Sequence, residues 1–251
     1  MPYGFYLSAE GAHAQTKRLE TIANNLANVD TVGFKRELAV FQARYAEAID
    51  QGLSSPGLGS IDDLGGGVMV RQTKTDFSQG QFERTGVPTD LAIDGDGFFL
   101  VRKGDEILLT RAGNFRLTTA GELVTQQGYS VLSEGGGPVL INPTAGSWEI
   151  TPDGSVRQQG GAVIPLAIVH PASLDALEKQ GENLFRSPEE PEALPPGRRR
   201  VAVGYLERSG VQPTTEMVAL IETSRLIEAN LNLMKAQDQM IGGLVGRLLR
   251  A

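Results

Sequence analysis

Residues 215–251 read TEMVALIETSRLIEANLNLMKAQDQMIGGLVGRLLRA, and the spacing of their apolar side chains decides the fold. Leu220, Ile227, Met234, Ile241 and Leu248 recur at every seventh residue without a break. Met217, Leu231 and Val245 fill most of the position three residues earlier, with Ser224 and Asp238 as its polar exceptions. A seven-residue apolar repeat describes a helix whose stripe lies against another helix. The N-terminal segment offers a match, because Ala12, Leu19 and Leu26 are also seven apart, with Ile22 and Ala23 between them. The expected class is α+β, with the N- and C-terminal helices paired in a coiled-coil-like α domain and a mostly-β domain between them. A chain that closes its two ends in this way is expected to be a building block and not an enzyme.

The N-terminal helix is predicted from about Pro2 or Tyr3 to about Val29. Leu19, Ile22, Ala23 and Leu26 stand at i, i+3, i+4 and i+7, on one helical face. Asp30, Thr31 and Gly33 are poor helix continuers, and Gly33 can take the left-handed conformation that closes a helix end. Phe34 follows as an apolar residue outside the helix. Asn24, Asn25 and Asn28 crowd the last turns, where asparagine costs helix stability. Two readings stand: a solvated, fraying end, or amides that bond inside a packed assembly and fix its register.

Between the helices the pattern is that of strands and turns. Residues 37–49 fit either a helix or an extended arm, and residues 52–67 form a glycine- and serine-rich stretch. Val68-Met69-Val70, Leu91-Ala92-Ile93, residues 98–101, 107–109, 139–141, 163–169 and 201–203 are short apolar or alternating runs. Asp94-Gly95, Asp96-Gly97, Ala120-Gly121 and Asp153-Gly154 punctuate them as turns. Ser173 as N-cap, Leu174, Leu177 and a stop at Gly181 predict one two-turn helix. Residues 187–197, with four prolines, read as a surface loop. The expected division is residues 1–36 as N-terminal helix, 37–70 as arm or linker, 71–210 as β domain and 211–251 as C-terminal helix.

Composition narrows function by exclusion. The formal net charge of −7 disfavours nucleic acid, which needs a basic face. The absence of cysteine removes disulfides, thiolate catalysis and sulfur-ligated zinc. No run approaches the roughly twenty apolar residues that a membrane span requires. The N-terminus lacks a basic region followed by an apolar stretch, so no cleaved leader is expected. Gly57-Leu58-Gly59 and Gly65-Gly66-Gly67 have no lysine after them to complete a phosphate loop. The Asp94-Gly95-Asp96-Gly97 run places Phe98 and Asp105 where a calcium loop needs an oxygen ligand and a glutamate, so it reads as tandem turns. His13 and His170 have no ligand partner at a useful spacing. Arg198, Arg199 and Arg200 read as a solvated strand edge that resists pairing. No metal, cofactor or catalytic residue is expected.

Several spaced motifs resemble a known family. Residues 22–35, Ile-Ala-Asn-Asn-Leu-Ala-Asn-Val-Asp-Thr-Val-Gly-Phe-Lys, are similar to the N-terminal motif of bacterial flagellar rod and hook proteins. Residues 90–101 resemble the marker that opens the β domain of that family. Residues 129–143 and 177–185 resemble its rod branch, and residues 204–211, followed by Glu216-Met217 and Ser224-Arg225, its approach to the last helix. The chain departs from the pattern at residues 225–228, where the family usually has an aromatic, and at Gly242, Gly243 and Gly246, which weaken the final turns. The resemblance implies an axial subunit of the flagellar basal body, with the proximal rod as first reading and the distal rod or hook as second. A peptidoglycan hydrolase on the β domain is the alternative from outside the family. Implied partners are other rod and hook-basal-body proteins, further subunits in a helical tube, and the flagellar export apparatus. The implied location is the periplasm-spanning rod. The candidate assembly residues are accordingly Leu19, Ile22, Asn24, Asn25, Leu26, Asn28, Gly33, Phe34, Met217, Leu220, Ile227, Leu231, Met234, Ile241, Val245 and Leu248.

Overall fold

A computed structural model describes residues 3–43, 65–142 and 146–248. It has two compact units, and each is assembled from separated stretches of chain. The helical unit takes Met1–Ala27, Glu37–Thr75 and Gln212–Ala251, and the β unit takes Asn28–Arg36 and Asp76–Val211. The α+β class expected from the sequence is the observed one, with a helix at each end and strands between.

In the helical unit, α1 (Tyr3–Ala27) and α2 (Pro213–Leu248) run antiparallel. Gly4 faces Gln237 and Gly11 faces Asn230, so seven residues forward in one helix match seven back in the other. Pro213 stands in the first turn of α2, where its missing N–H costs nothing, and Glu216 complements the positive helix end. The three late glycines do not stop α2, which continues to Leu248 and is about 54 Å long. The strands β1 (Glu37–Ala43) and β2 (Val68–Thr75) form an antiparallel ribbon packed on α1. The described part of the stretch left open between helix and arm is therefore extended. Asn25 fixes where the ribbon begins. Its side-chain amide donates to Glu37 O at 2.8 Å and its Oδ1 accepts from Glu37 N–H at 2.9 Å.

The β unit holds β3 (Phe82–Arg84), β4 (Leu91–Ile93), β5 (Phe98–Lys103), β6 (Glu106–Thr110), β7 (Arg116–Leu117), β8 (Leu123–Val124) and β9 (Ser130–Val131). It continues with β10 (Trp148–Ile150), β11 (Ser155–Gln158), β12 (Ile164–Pro165), β13 (Ile168–His170), β14 (Glu178–Gly181), β15 (Leu184–Arg186), β16 (Glu192–Ala193), β17 (Val201–Val203) and β18 (Tyr205–Glu207). A nine-stranded sheet orders β14-β15-β6-β5-β9-β8-β7, with β13 and β16 added beside β5. Two short ribbons, β17–β4 and β18–β3, bring the end of the unit back beside its beginning. The inward residues Leu91, Phe99, Val101, Leu123, Val131, Leu166 and Ile168 build one core. Phe77, Phe98 and Phe185 build a second, with ring centroids 5.4–6.0 Å apart in edge or tilted contact. Gly113 lets two backbones close on one another. It accepts from Leu91 N–H at 3.0 Å, and a Cβ built there would lie 1.6 Å from Leu91 O.

Two sequence expectations fail here. Residues 139–141 make only isolated bridges, because Pro138 and Leu140 pair singly with Leu132 and Glu122. The two-turn helix is one 3-10 turn, Leu174–Ala176, whose Ser173 makes no side-chain cap. Residues 178–181 instead enter β14, since pairing with β15 satisfies more backbone than a second helical turn could.

Candidate assembly surfaces and the buried charge clasp

The seam between α1 and α2 is built from two rows of α2 side chains. Leu220, Ile227, Met234 and Ile241 are half-buried against α1, as their heptad spacing predicts. The second row is not Met217, Leu231 and Val245, which are exposed. It is Glu216, Thr223, Asn230 and Gln237, one residue earlier in each heptad, all buried or half-buried. This row is polar throughout. Opposite it α1 presents Gly4 and Gly11, with Ser8, Ala14 and Thr21 buried along the same helix. Small residues let the backbones approach, and the long amides of Asn230 and Gln237 fill the space over the glycines. The fit is incomplete in polar terms: Thr223 Oγ1 and Gln237 Oε1 are buried and find no hydrogen-bond partner among the described residues. Each such orphan costs about 1–3 kcal/mol.

The seam therefore stabilises the pair weakly, and it leaves most of the apolar surface of α2 uncovered. Leu226, Leu233 and Met240 are 44, 54 and 62% exposed, and they too repeat every seven residues. Ala229, Ala236 and Gly243 fall three residues after each of them and are also exposed. Together they form a second heptad stripe, large then small, on a face of α2 turned away from α1. Met217, Ile221, Leu231 and Val245 add further exposed apolar surface. Burying a side chain of this size is worth about 1.5–3 kcal/mol.

In the β unit, the residues that follow α1 and precede α2 in the chain meet in a buried charge cluster. Lys35 Nζ donates to Glu207 Oε1 at 2.6 Å and to Ser78 O at 2.8 Å. Arg111 Nε donates to Glu207 Oε2 at 2.7 Å, and Gly80 N–H to Glu207 Oε1 at 2.8 Å. The side chains of Lys35, Glu207 and Arg111 are only 2, 1 and 5% exposed. One carboxylate is thus shared by two cations. The excess positive charge is met by carbonyls, because the Arg111 guanidinium also donates to Ile93 O at 3.1 Å, Gly95 O at 2.6 Å and Gly97 O. The tandem Asp-Gly turn is therefore folded around a guanidinium. Among the described residues no cluster of histidine and carboxylate side chains could hold a metal. Burial lowers the ammonium pKa of Lys35 below its ordinary value. Glu207 offsets this in part, and the neighbouring Arg111 adds to it.

Gly33 belongs to this cluster and not to the end of the helix. α1 stops at Ala27, and Thr31 O accepts from Phe34 N–H at 3.2 Å across a turn in which Gly33 has φ +65°. Its N–H donates to Glu207 O at 2.7 Å, and a Cβ there would lie 2.6 Å from the carbonyl carbon of Arg111. Phe34 is buried, with Lys179 Nζ 4.1 Å from its ring centroid.

The other predicted residues are placed as follows. Ile22 is buried in the helical unit, and Leu19 and Leu26 are half-buried there. Asn25 is buried and used inside the chain, Asn24 is exposed, and Asn28 Oδ1 accepts from the Thr31 hydroxyl at 3.1 Å. Leu248 ends α2. Lys35, Arg111 and Glu207 were missed as a set, as was the polar row of α2. Arg199, read as part of a solvated edge, is buried and donates to Leu194 O at 2.6 Å and to Glu134. Arg198 and Arg200 are exposed, and Arg199 lies between them in extended backbone just after the 3-10 turn Pro196–Arg198.

Three family profiles match in chain order. Residues 5–35 match a flagella basal body rod protein profile, residues 92–158 the D1 domain of flagellar hook protein FlgE/F/G, and residues 202–245 the C-terminal segment of flagellar basal body rod FlgEFG proteins. Each matched segment contributes one member of the clasp: Lys35, Arg111 and Glu207. Flagellar basal-body rod protein FlgF of Caulobacter vibrioides is 34% identical, with 99% of this chain and 98% of that protein aligned. Flagellar basal-body rod protein FlgG of Bacillus subtilis is 36% identical over 92% of this chain and 93% of that protein. FlgG of Borreliella burgdorferi is 32% identical over 96 and 97%. The chain belongs to the flagellar basal-body rod protein family.

Proposed function

We propose that the chain is a structural axial subunit of the flagellar basal-body rod, in its proximal part, and that it assembles by packing its terminal helices against those of neighbouring subunits. The observation that carries this reading is the uncovered heptad stripe of α2. A helix of this length with apolar rows on more than one face is poorly held by a single partner helix. Contacts that join one face of a subunit to a different face of the next are heterologous, and their repetition gives an open helical tube. The orphaned polar atoms of the α1–α2 seam support a further part of the proposal, that both helices gain most of their order on stacking. Export through the flagellar apparatus without a cleaved leader, and a place in the periplasm-spanning rod, complete the reading. The role is structural and involves no cofactor.

Alignment with the Caulobacter FlgF protein over almost all of both chains supports the proximal position. A distal position is the second reading, favoured by FlgG relatives of comparable identity. Electron microscopy of basal bodies from a strain lacking this chain tests the proposal. Rods that stop short, restored by the wild-type chain, are expected. Complete rods of normal length in the deletion strain would overturn it.

A further inference from the structure

The β unit contains a cleft that the assembly reading does not use. Its volume is about 450 Å3, within the usual range of small-ligand sites. One wall is the Asp94–Gly97 turn, which Arg111 holds from beneath through two of its carbonyls, Gly95 O and Gly97 O, and through Ile93 O just before it. The other wall is His170 and Glu192, paired across β13 and β16, and the segment that carries Arg198 and Arg200. The buried Arg199 anchors this second wall through Leu194 O and Glu134. Both walls are therefore fixed from inside the protein, and their remaining charges are directed to the cleft.

Asp94, Asp96 and Glu192 bring negative charge to the lining, and Arg198 and Arg200 bring positive charge. Asp94 N–H donates to Arg200 O at 2.8 Å, so the two backbones touch. Even so, the side chains of Asp94, Asp96, His170, Glu192, Arg198 and Arg200 make no hydrogen bond or ion pair among the described residues. Elsewhere on the β unit, exposed charges of opposite sign do pair, as Lys103 does with Glu182 and Arg186 with Glu106. Opposite charges held apart across a pre-formed cleft match a molecule that carries both signs at its two ends, since each charge then meets its complement without moving a wall.

We infer that this cleft binds an amphoteric short peptide, its ammonium held by Asp94, Asp96 and Glu192 and its carboxylate by Arg198 and Arg200. A site for an anion alone is disfavoured by the three carboxylates, and a cation site by the two guanidiniums. The proposal does not depend on the rod assignment. Its test is calorimetric titration of the full-length protein with trialanine, acetyl-trialanine and trialanine amide, which respectively keep both charges, lose the ammonium and lose the carboxylate. Saturable binding of trialanine with a Kd near or below about 1 mM is expected, weakened roughly tenfold or more by blocking either end. D94N/D96N and R198Q/R200Q proteins should each lose about the same factor while keeping the wild-type melting temperature, because all four side chains are exposed. No saturation up to about 10 mM, equal binding of the blocked peptides, or binding unchanged in both variants would overturn the site.

Discussion

Replacing Glu207 by glutamine leaves the shape of the clasp and removes the one negative charge that Lys35 and Arg111 share. The amide oxygen can still accept from Gly80 N–H, now at 2.8 Å, so the loss is electrostatic and not steric. Taking one partner out of a buried ion pair costs about 3–5 kcal/mol, because the other charge stays buried and unmatched. Here two cations are stranded, and the carbonyls around Arg111 compensate only one of them. For a unit of this size each kcal/mol lowers the melting temperature by about 2–4 °C, so a drop of roughly 6–20 °C is expected. Trp148 is the single tryptophan and packs against the main β core, so urea denaturation followed by its fluorescence reports on this unit. The control is Glu83→Gln, which breaks an exposed 3.6 Å pair with Arg208 and should stay within about 0.5 kcal/mol. A Lys35→Met background should shrink the Glu207→Gln cost by about 1–3 kcal/mol, since one of the stranded cations is then gone. A loss under about 1 kcal/mol, or strict additivity with Lys35→Met, would refute the shared-carboxylate account.

The remaining expectations concern the turn, the seam, the outer stripe and acid. Gly33→Val forces a branched side chain onto φ +65° and into the Arg111 backbone, and should cost more than about 2 kcal/mol in the same fluorescence assay. Thr223→Val replaces a buried, unpartnered hydroxyl by a methyl and should stabilise α1–α2 pairing by about 1 kcal/mol, read as higher helical circular dichroism of the dilute protein. Leu233→Asp lies on the exposed stripe, so it should leave the monomer within about 0.5 kcal/mol of wild type yet abolish motility when it replaces the wild-type gene. Asp76 is held below its ordinary carboxyl value. Burial acts to raise it, but hydrogen bonds from the Ser78 N–H and hydroxyl and from Arg36 outweigh burial. A depressed folded pKa stabilises above the unfolded value, and that share is lost as pH falls through the folded one. The stability advantage of wild type over Asp76→Asn should therefore shrink as thermal melts are taken from pH 7 to below about 3.8.

The helices were legible because a heptad repeat is a local signal: Leu220, Ile227, Met234 and Ile241 announce one seam by spacing alone. The choice of second row was not, since Glu216, Thr223, Asn230 and Gln237 are polar and hydrophobicity points to Met217, Leu231 and Val245 instead. What decides the matter is Gly4 and Gly11 on the other helix, which accept long amides where a Leu would leave no room. The same hydrophobic signal that misplaced the seam exposed a second face of α2. Most strands were readable from short apolar runs between Gly and Asp turns, but residues 139–141 show that an apolar triplet can send Val139 and Ile141 into the core and leave Leu140 exposed without joining a ladder. The clasp was invisible because Lys35 and Glu207 are 172 residues apart in the chain and no local pattern marks a charge for burial. Gly33 was rightly given a left-handed conformation and wrongly given the end of α1, because φ at a glycine says nothing of how far away the helix stopped.

Hydrogen–deuterium exchange along α2, in dilute free subunit and in assembled rods, bears most directly on the claim that this helix is finished by its neighbours. The account predicts that amides of residues 224–245 exchange quickly in the free subunit and become strongly protected on assembly, most of all around Leu226, Leu233 and Met240. Equal and strong protection of that stretch in the free subunit would contradict it.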